Sequence, residues 1–357
     1  MSSMFGSNIR LSIFGESHGA GIGVVIDGLP AGIKLDRTLI LSQMARRAPG
    51  RDSFSTKRTE SDMPELISGV LDGVTTGAPL CALIKNNNTR SQDYQKELVY
   101  PRPSHADLTG FLRYEGYNDI RGGGHFSGRL TAPIVFAGSI CRQILEMRGV
   151  TIGAHIYLVG DVYDHSFSLT DLQPELLREL SDERFAVIDK HAQARMLAEI
   201  ESARIDEDSV GGVVECGIVG YPAGLGSPMM DTLESTISSI MFAIPAVKGI
   251  EFGLGFDIST MRGSAANDQY FIDGGEIKTR SNNNGGILGG ISTGMPIVFR
   301  TAIKPTPSIG KEQNTVDIQR LENAKLKIRG RHDPCIVPRA VPVIEAAAAI
   351  ALVQHLR

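Results

Sequence analysis

The chain reads as α+β, with strands and helices interspersed and a possible internal duplication. Three observations predict this. Strand-like runs bounded by glycine recur at 10–14, 20–28, 68–85 and 296–304. Helical segments rich in Ala and Ile stand at 131–147 and 343–356, the second apolar enough to be buried. A weak repeat is also present. Gly23-Val24-Val25-Ile26-Asp27-Gly28-Leu29-Pro30-Ala31-Gly32 is echoed by Gly212-Val213-Val214-Glu215-Cys216-Gly217 and then Tyr221-Pro222-Ala223-Gly224.

Composition bounds the function. The 357 residues are 42% hydrophobic and 21% charged, which is ordinary globular material. A formal charge of −4 gives no support to a nucleic-acid partner. No run of about 18 apolar residues predicts a membrane helix, and the first residues lack the pattern of a signal peptide. Cys81, Cys141, Cys216 and Cys335 are scattered without metal-ligand spacing, so reduced thiols in a cytoplasmic protein are expected. The forty glycines cluster in short loops, which suggests backbone approaching ligands at several places. The chain is taken as one domain over 1–357, with 155–210 peripheral.

Taken in order, Arg10 to Phe14 alternates as a strand and leads to Gly15-Glu16-Ser17-His18-Gly19. Gly-x-Ser-x-Gly is the nucleophile elbow of serine hydrolases, but that elbow needs strand, turn, then helix. Here a second strand follows, so His18 is read as a proton carrier in a hairpin turn. Asp36 to Arg47 has helical character. Arg46, Arg47, Arg51, Lys57 and Arg58 then stand near many hydroxyls, a pattern suited to phosphate or carboxylate. Strand, turn and strand follow over 68–85.

In Arg102-Pro103-Ser104-His105-Ala106-Asp107, Asp107 is placed to orient the His105 ring. The chain then reaches its centre of organisation, Arg121-Gly122-Gly123-Gly124-His125-Phe126-Ser127-Gly128-Arg129, and the helix beyond it. Thr131 is a candidate cap and Pro133 suits the first turn. A glycine loop feeding a helix N-terminus favours anions, because free N–H groups and the helix dipole point outward. Amphipathic helices are expected at 169–180 and 189–204, and a further helix at 230–243. Asn282-Asn283-Asn284-Gly285-Gly286-Ile287-Leu288-Gly289-Gly290 forms a second glycine loop. Lys304-Pro305-Thr306-Pro307-Ser308 sets a Lys beside two hydroxyls in a proline-fixed turn, again suited to phosphate. The densest polar group is Arg329-Gly330-Arg331-His332-Asp333 with Arg339 beyond it. No glycine cluster has the spacing of a dinucleotide fingerprint after a strand.

Five of these motifs together resemble chorismate synthase: 15–19, 102–107, Gly-Gly-Ile-Leu-Gly-Gly-Ile-Ser at 285–292, 304–308, and Gly-Arg-His-Asp-Pro-Cys at 330–335. They stand in the family's order across essentially the whole chain. The resemblance implies a β-α-β sandwich, with central helices between two antiparallel sheets, in a homotetramer. It implies anti 1,4-elimination of phosphate from 5-enolpyruvylshikimate 3-phosphate, giving chorismate, with reduced FMN. NADPH enters only as a possible reductant of that flavin. Carried onto this chain, His18 would poise or protonate the flavin, His105 would protonate the departing phosphate, and Asp333 would help relay the ring proton. Arg47, Lys57, Arg129 and Arg339 become candidates for the substrate anions. His125, Ser127, Ala246, Gly289, Lys304, Pro305, Thr306, Pro307, Ser308 and Arg331 become candidates for the flavin. The chain departs from the family at His125 (usually Arg), Leu130 (Glu), Ser53 (often Arg) and Pro245 (often Asn). Two other classes are weighed: a serine hydrolase using Ser17, and a non-catalytic anion-binding protein using the same arginines.

Overall fold

A computed structural model describes residues 3–50, 62–86, 99–328 and 333–356. Two five-stranded sheets enclose a layer of helices. The first sheet contains β1 (Met4–Phe5), β2 (Arg10–Gly15), β3 (Gly21–Asp27), β4 (Pro64–Ser68) and β5 (Leu80–Lys85), in the order β1-β2-β3-β5-β4. The second contains β6 (Thr151–Val159), β7 (Val162–Tyr163), β8 (Gly212–Val219), β9 (Val247–Phe252) and β10 (Ile297–Ile303), in the order β7-β6-β8-β10-β9. Every pairing within these sheets is antiparallel. Alternation aims the apolar set inward: in β3, Ile22, Val24 and Ile26 are all buried.

The helices are α1 (Arg37–Arg47), α2 (Asp107–Arg113), α3 (Thr131–Glu146), α4 (Pro174–Asp182), α5 (Lys190–Ile205), α6 (Leu233–Ala243) and α7 (Val337–Val353). Helix α3 packs on β2 and β3, α7 packs on β6 and β8, and the two helices pack on each other. A Cβ on Gly138 of α3 would lie 2.4 Å from Cβ of Ala346, so hydrogen is all that fits where these helices cross. Helices α1 and α6 pack against this central pair. The expected sandwich with its central helices is therefore the observed one.

Local chemistry sets the helix ends. Asp36 accepts the Leu39 N–H and caps α1. Thr131 does not cap α3: it lies inside the helix, and Ser127 instead accepts the Arg129 N–H in the preceding turn. Helix α7 starts at Val337 rather than Val343. Pro338 fits its first turn, whereas Pro342 lies inside the helix, where it removes the bond to the Pro338 carbonyl and its ring crowds that oxygen. Helices α4 and α6 start a few residues late, at Pro174 and after the Thr232 cap.

The duplication is visible in hydrogen bonds. Gly32 N–H donates to Thr75 O at 2.8 Å, and Gly224 N–H to Ser292 O at 2.9 Å. The hydroxyls of Thr75 and Ser292 donate to the Pro30 and Pro222 carbonyls, both at 2.6 Å. They accept from Ile33 and Leu225 N–H at 2.9 and 3.0 Å. Four strands of each sheet then follow the same order, β2-β3-β5-β4 against β6-β8-β10-β9.

The stretch 155–210 is not peripheral throughout. Strand β6 lies in the second sheet and is largely buried, with α4 packed against it. A Cβ on Gly153 would reach 2.5 Å from the Leu177 carbonyl oxygen. Both faces of β6 are thus covered, so strict alternation is lost. Within it, buried His155 sits between Asp164 and Glu215, each at 3.0 Å. Arg300 pairs with Glu215 at 2.9 Å and lies over the Tyr157 ring. Burial alone would lower the His155 pKa. Hydrogen bonds to both carboxylates, with their charges, outweigh it and hold the imidazole above its ordinary value.

Candidate active site

The turn at 15–20 joins β2 to β3, as the His18 reading requires. It is pinned to the glycine loop by Ser17 N–H donating to Gly124 O at 3.1 Å. Gly122, Gly123 and Gly124 all have positive φ (60°, 85° and 52°), which residues with a Cβ rarely adopt. A Cβ on Gly122 would lie 2.0 Å from His18 Cε1, and one on Gly123 would lie 3.1 Å from His105 Cε1. Two imidazoles distant in sequence therefore rest against adjacent glycines.

Their tautomers follow from their partners. Ser17 Oγ lies 3.1 Å from His18 Nδ1 and about as far from the Arg121 and Gly122 carbonyl oxygens. A carbonyl only accepts, so the hydroxyl donates there and His18 Nδ1–H donates to the hydroxyl. His105 Nδ1 is 2.6 Å from Asp107 Oδ1. That contact needs a proton on Nδ1, so Arg102, 3.2 Å from the same nitrogen, acts there only through its charge. Nε2 of His105 is left for proton exchange. Burial pushes the Asp107 carboxyl up, but hydrogen bonds from Arg102 and His105 and their charges hold it well below the ordinary carboxylate range. The serine-hydrolase alternative fails here: Ser17 stands in a β-hairpin and is 1% exposed.

The arginines come from three elements. Arg47 ends α1, Arg129 precedes α3, and Arg339 lies in the first turn of α7. Asp62 accepts from Arg47 with Oδ2 and from Arg129 with Oδ1. Arg129 also donates from Nε to Asn86 at 3.0 Å, and Asn86 donates to the Glu16 and Gly19 carbonyls of the His18 turn. Arg339 donates to the Arg47 carbonyl at 3.0 Å and to Asp333 Oδ2 at 2.6 Å.

The turn 304–308 meets this cluster from the other side. Thr306 donates its hydroxyl to the Asp333 carbonyl at 2.9 Å, and Arg102 donates to Ser308 Oγ at 3.3 Å. Lys304 donates to the Ser104 carbonyl, beside His105. Burial lowers the Lys304 pKa, and the charge of Lys248 adds to this. Ala246, at φ 75°, accepts the Lys304 N–H at 3.0 Å. A network of contacts thus joins the neighbourhoods of His18, His105, Asp333, Arg47, Arg129, Arg339, Ser127, Ala246 and residues 304–308. An ammonium and two hydroxyls on one proline-fixed turn, with the Arg102 guanidinium against it, fit an anionic, phosphate-bearing group.

Two candidates stand differently. Gly289 lies in a hairpin whose Gly290 carbonyl accepts the Leu233 N–H at the start of α6, whereas Ala246 follows the end of that helix. Eleven residues at about 1.5 Å each separate the two ends by roughly 16 Å. His125 spends both ring nitrogens on protein, Nδ1 on the Gly15 carbonyl at 2.8 Å and Nε2 on Ser3 Oγ at 3.0 Å. In this conformation it offers none to a ligand. Lys57 and Arg331 lie outside the described residues.

Motif reading gives Asp62, Asn86 and Arg102 no role in the site. For Asp62 the available signal was an acid closing a strongly basic stretch. For Arg102 it was a guanidinium three residues before a histidine.

The family model described as "Chorismate synthase" matches residues 9–356. The chain is 47% identical over 353 residues to a chorismate synthase of Pyrococcus abyssi, covering 99% of this chain and 97% of that one. It is 46% identical to one of Thermococcus kodakarensis with the same coverage. A solved structure titled "Crystal Structure of Chorismate Synthase" superposes with a TM-score of 0.77 at 28% identity, covering 98% of this chain and 92% of that one. Motifs, layered fold and whole-length similarity agree, and the chain belongs to the chorismate synthase family.

Proposed function

We propose that this site eliminates phosphate and a ring proton from 5-enolpyruvylshikimate 3-phosphate in anti 1,4 geometry, with reduced FMN, yielding chorismate. The observation that carries the reading is the pair of imidazoles on adjacent glycines, set beside a buried arginine cluster. The substrate brings a phosphate and two carboxylates, and Arg47, Arg129 and Arg339 supply three guanidiniums from three separate elements.

The residues divide the work by position. His105, its Nδ1 held by Asp107, presents Nε2 as the acid for the departing phosphate. His18, its Nδ1 proton held by Ser17, would poise or protonate the flavin. Asp333, held by Arg339 at 2.6 Å, stands ready to accept the ring proton. Lys304, Thr306 and Ser308 would hold the flavin, with Ser127 and Ala246 beside them. Reduced flavin supplies transient electron density that activates a poor leaving group without net redox change. Fixed cations around the site stabilise negative charge wherever it develops.

The direct test measures phosphate release from the substrate with and without reduced FMN. Turnover only with reduced flavin supports the reading. Equal release without flavin, or none under either condition, overturns it. A non-catalytic anion binder would tolerate His18→Ala and His105→Ala with no loss. We also infer a homotetramer acting on a small molecule in the cytoplasm, with no nucleic-acid or membrane partner. Exposed Tyr270, Ile272 and Ile277 on one hairpin face support self-association. Among the described residues, no helix is long and apolar enough to cross a membrane.

A further inference from the structure

We propose that Asp62 is the positioning residue of the anion site, its single carboxylate fixing the distance at which Arg47 and Arg129 meet the substrate. This rests on the functional reading above. The Asp62 side chain is 1% exposed and each oxygen takes one arginine. Those arginines come from different elements, the end of α1 and the turn before α3. A bridging carboxylate is therefore a ruler as well as a counter-ion. It ties two like charges that would otherwise separate, and the spacing between them is set by the width of one carboxyl group.

The rest of the surroundings agree. Arg129 is also held by Asn86 at 3.0 Å, and Arg47 approaches Thr131 Oγ1 at 3.5 Å. Burial raises the Asp62 pKa, but the charges and hydrogen bonds of both arginines outweigh it, so the group stays ionised at neutral pH. Asp62 is itself buried, so it acts on the ligand through the two guanidiniums it holds.

Two variants separate spacing from charge. Asp62→Asn keeps the shape and removes the charge. Asp62→Glu keeps the charge and adds one methylene. The readouts are KM and kcat for flavin-dependent phosphate release, thermal unfolding, and calorimetric binding of inorganic phosphate. The control is Glu345→Gln, which removes another buried carboxylate, the one paired with Arg46 at 2.6 Å. We expect both Asp62 variants to raise KM about tenfold or more, with kcat changing less. Glu345→Gln should lower the melting temperature and leave KM within twofold.

A folded Asp62→Glu or Asp62→Asn protein with wild-type KM overturns the proposal. If Asp62→Asn does not fold, Asp62→Glu decides by the same criterion. Failure of both to fold also overturns it, since Asp62 would then serve folding alone. If the wild type shows no flavin-dependent turnover, the functional reading has failed instead. The positioning role is then read from phosphate affinity, which should weaken about tenfold in both variants and is refuted by unchanged binding.

Discussion

Gly122→Ala tests whether the place of His18 matters apart from its presence. The new Cβ would lie 2.0 Å from His18 Cε1 and 2.3 Å from Nδ1. Carbon atoms settle about 3.5–4.0 Å apart, so the ring must retreat by roughly 1.5–2 Å. That movement breaks the Ser17 hydrogen bond at 3.1 Å, because hydrogen bonds do not survive such a stretch. The backbone adds a separate cost: φ is +60° here, and an L-residue in that region costs about 1–2 kcal/mol. An ångström of misplacement in a catalytic group costs about 10²-fold in rate, close to 2.7 kcal/mol of barrier. We therefore expect kcat/KM for flavin-dependent phosphate release to fall about 10²-fold. Urea unfolding should show a loss of about 1.5–3.5 kcal/mol, the backbone cost together with about 0.5–1.5 kcal/mol for the lost hydrogen bond. Gly123→Ala carries the internal control, since its Cβ would stand 3.1 Å from His105 Cε1 and calls for only a small adjustment of that ring. A folded Gly122→Ala enzyme with wild-type kcat/KM would refute the claim that this glycine seats a working imidazole.

Three further outcomes are expected. Glu345→Ala leaves Arg46 buried without its 2.6 Å partner and orphans the Ala154 N–H, so urea denaturation should show about 3–5 kcal/mol of destabilisation. Gly138→Val forces a branched side chain into the α3–α7 crossing, where a Cβ already meets Ala346 at 2.4 Å. It should cost about 1–3 kcal/mol or more, and a melting temperature within a degree of wild type would contradict the close crossing. His155 has a folded pKa above its ordinary value of 6.5. Its stabilisation is therefore fully present below about pH 6.5 and lost as pH rises through the folded value. The denaturation midpoint of the wild type should decline across that window. His155→Gln should flatten the decline, and an unchanged slope would exclude His155 as its source.

What was legible in the chain was local. Helix α1 has a capping Asp36 at one end and Arg46 and Arg47 at the other, so periodicity and caps agree. The turn carrying His18 could be assigned to a hairpin because the residues after it are strand formers. Helix α7 begins six positions before the expected Val343: Pro338 falls in its first turn, where a helix tolerates it, and near-complete burial of the helix outweighs the interior cost of Pro342. Strand β6 escaped notice for a different reason. Burial on both faces removes the alternation by which a half-exposed strand is recognised. In the site, each histidine could be marked by its motif, but no local pattern encodes that residues 18 and 105 share neighbouring glycines. The same holds for Asp62, whose role depends on partners 15 and 67 positions away.

The duplication sharpens this point, because its two copies share scaffolding and differ in chemistry. Asp36 and Thr232 occupy equivalent caps, each accepting the N–H three residues on. Eleven residues later the equivalence ends. Helix α1 finishes with buried Arg46 and Arg47, while α6 finishes with Phe242, more than half exposed, and Ala243. The two central helices behave alike in the other respect: the turn before α3 supplies Ser127 and Arg129, and the segment entering α7 supplies Asp333 and Arg339. A symmetric frame thus brings two helix starts to one place, and the cations are loaded from one side. The asymmetry suits the proposed substrate, which carries different anionic groups and loses phosphate and a proton from opposite faces. A fully symmetric cluster would have no means of telling those faces apart.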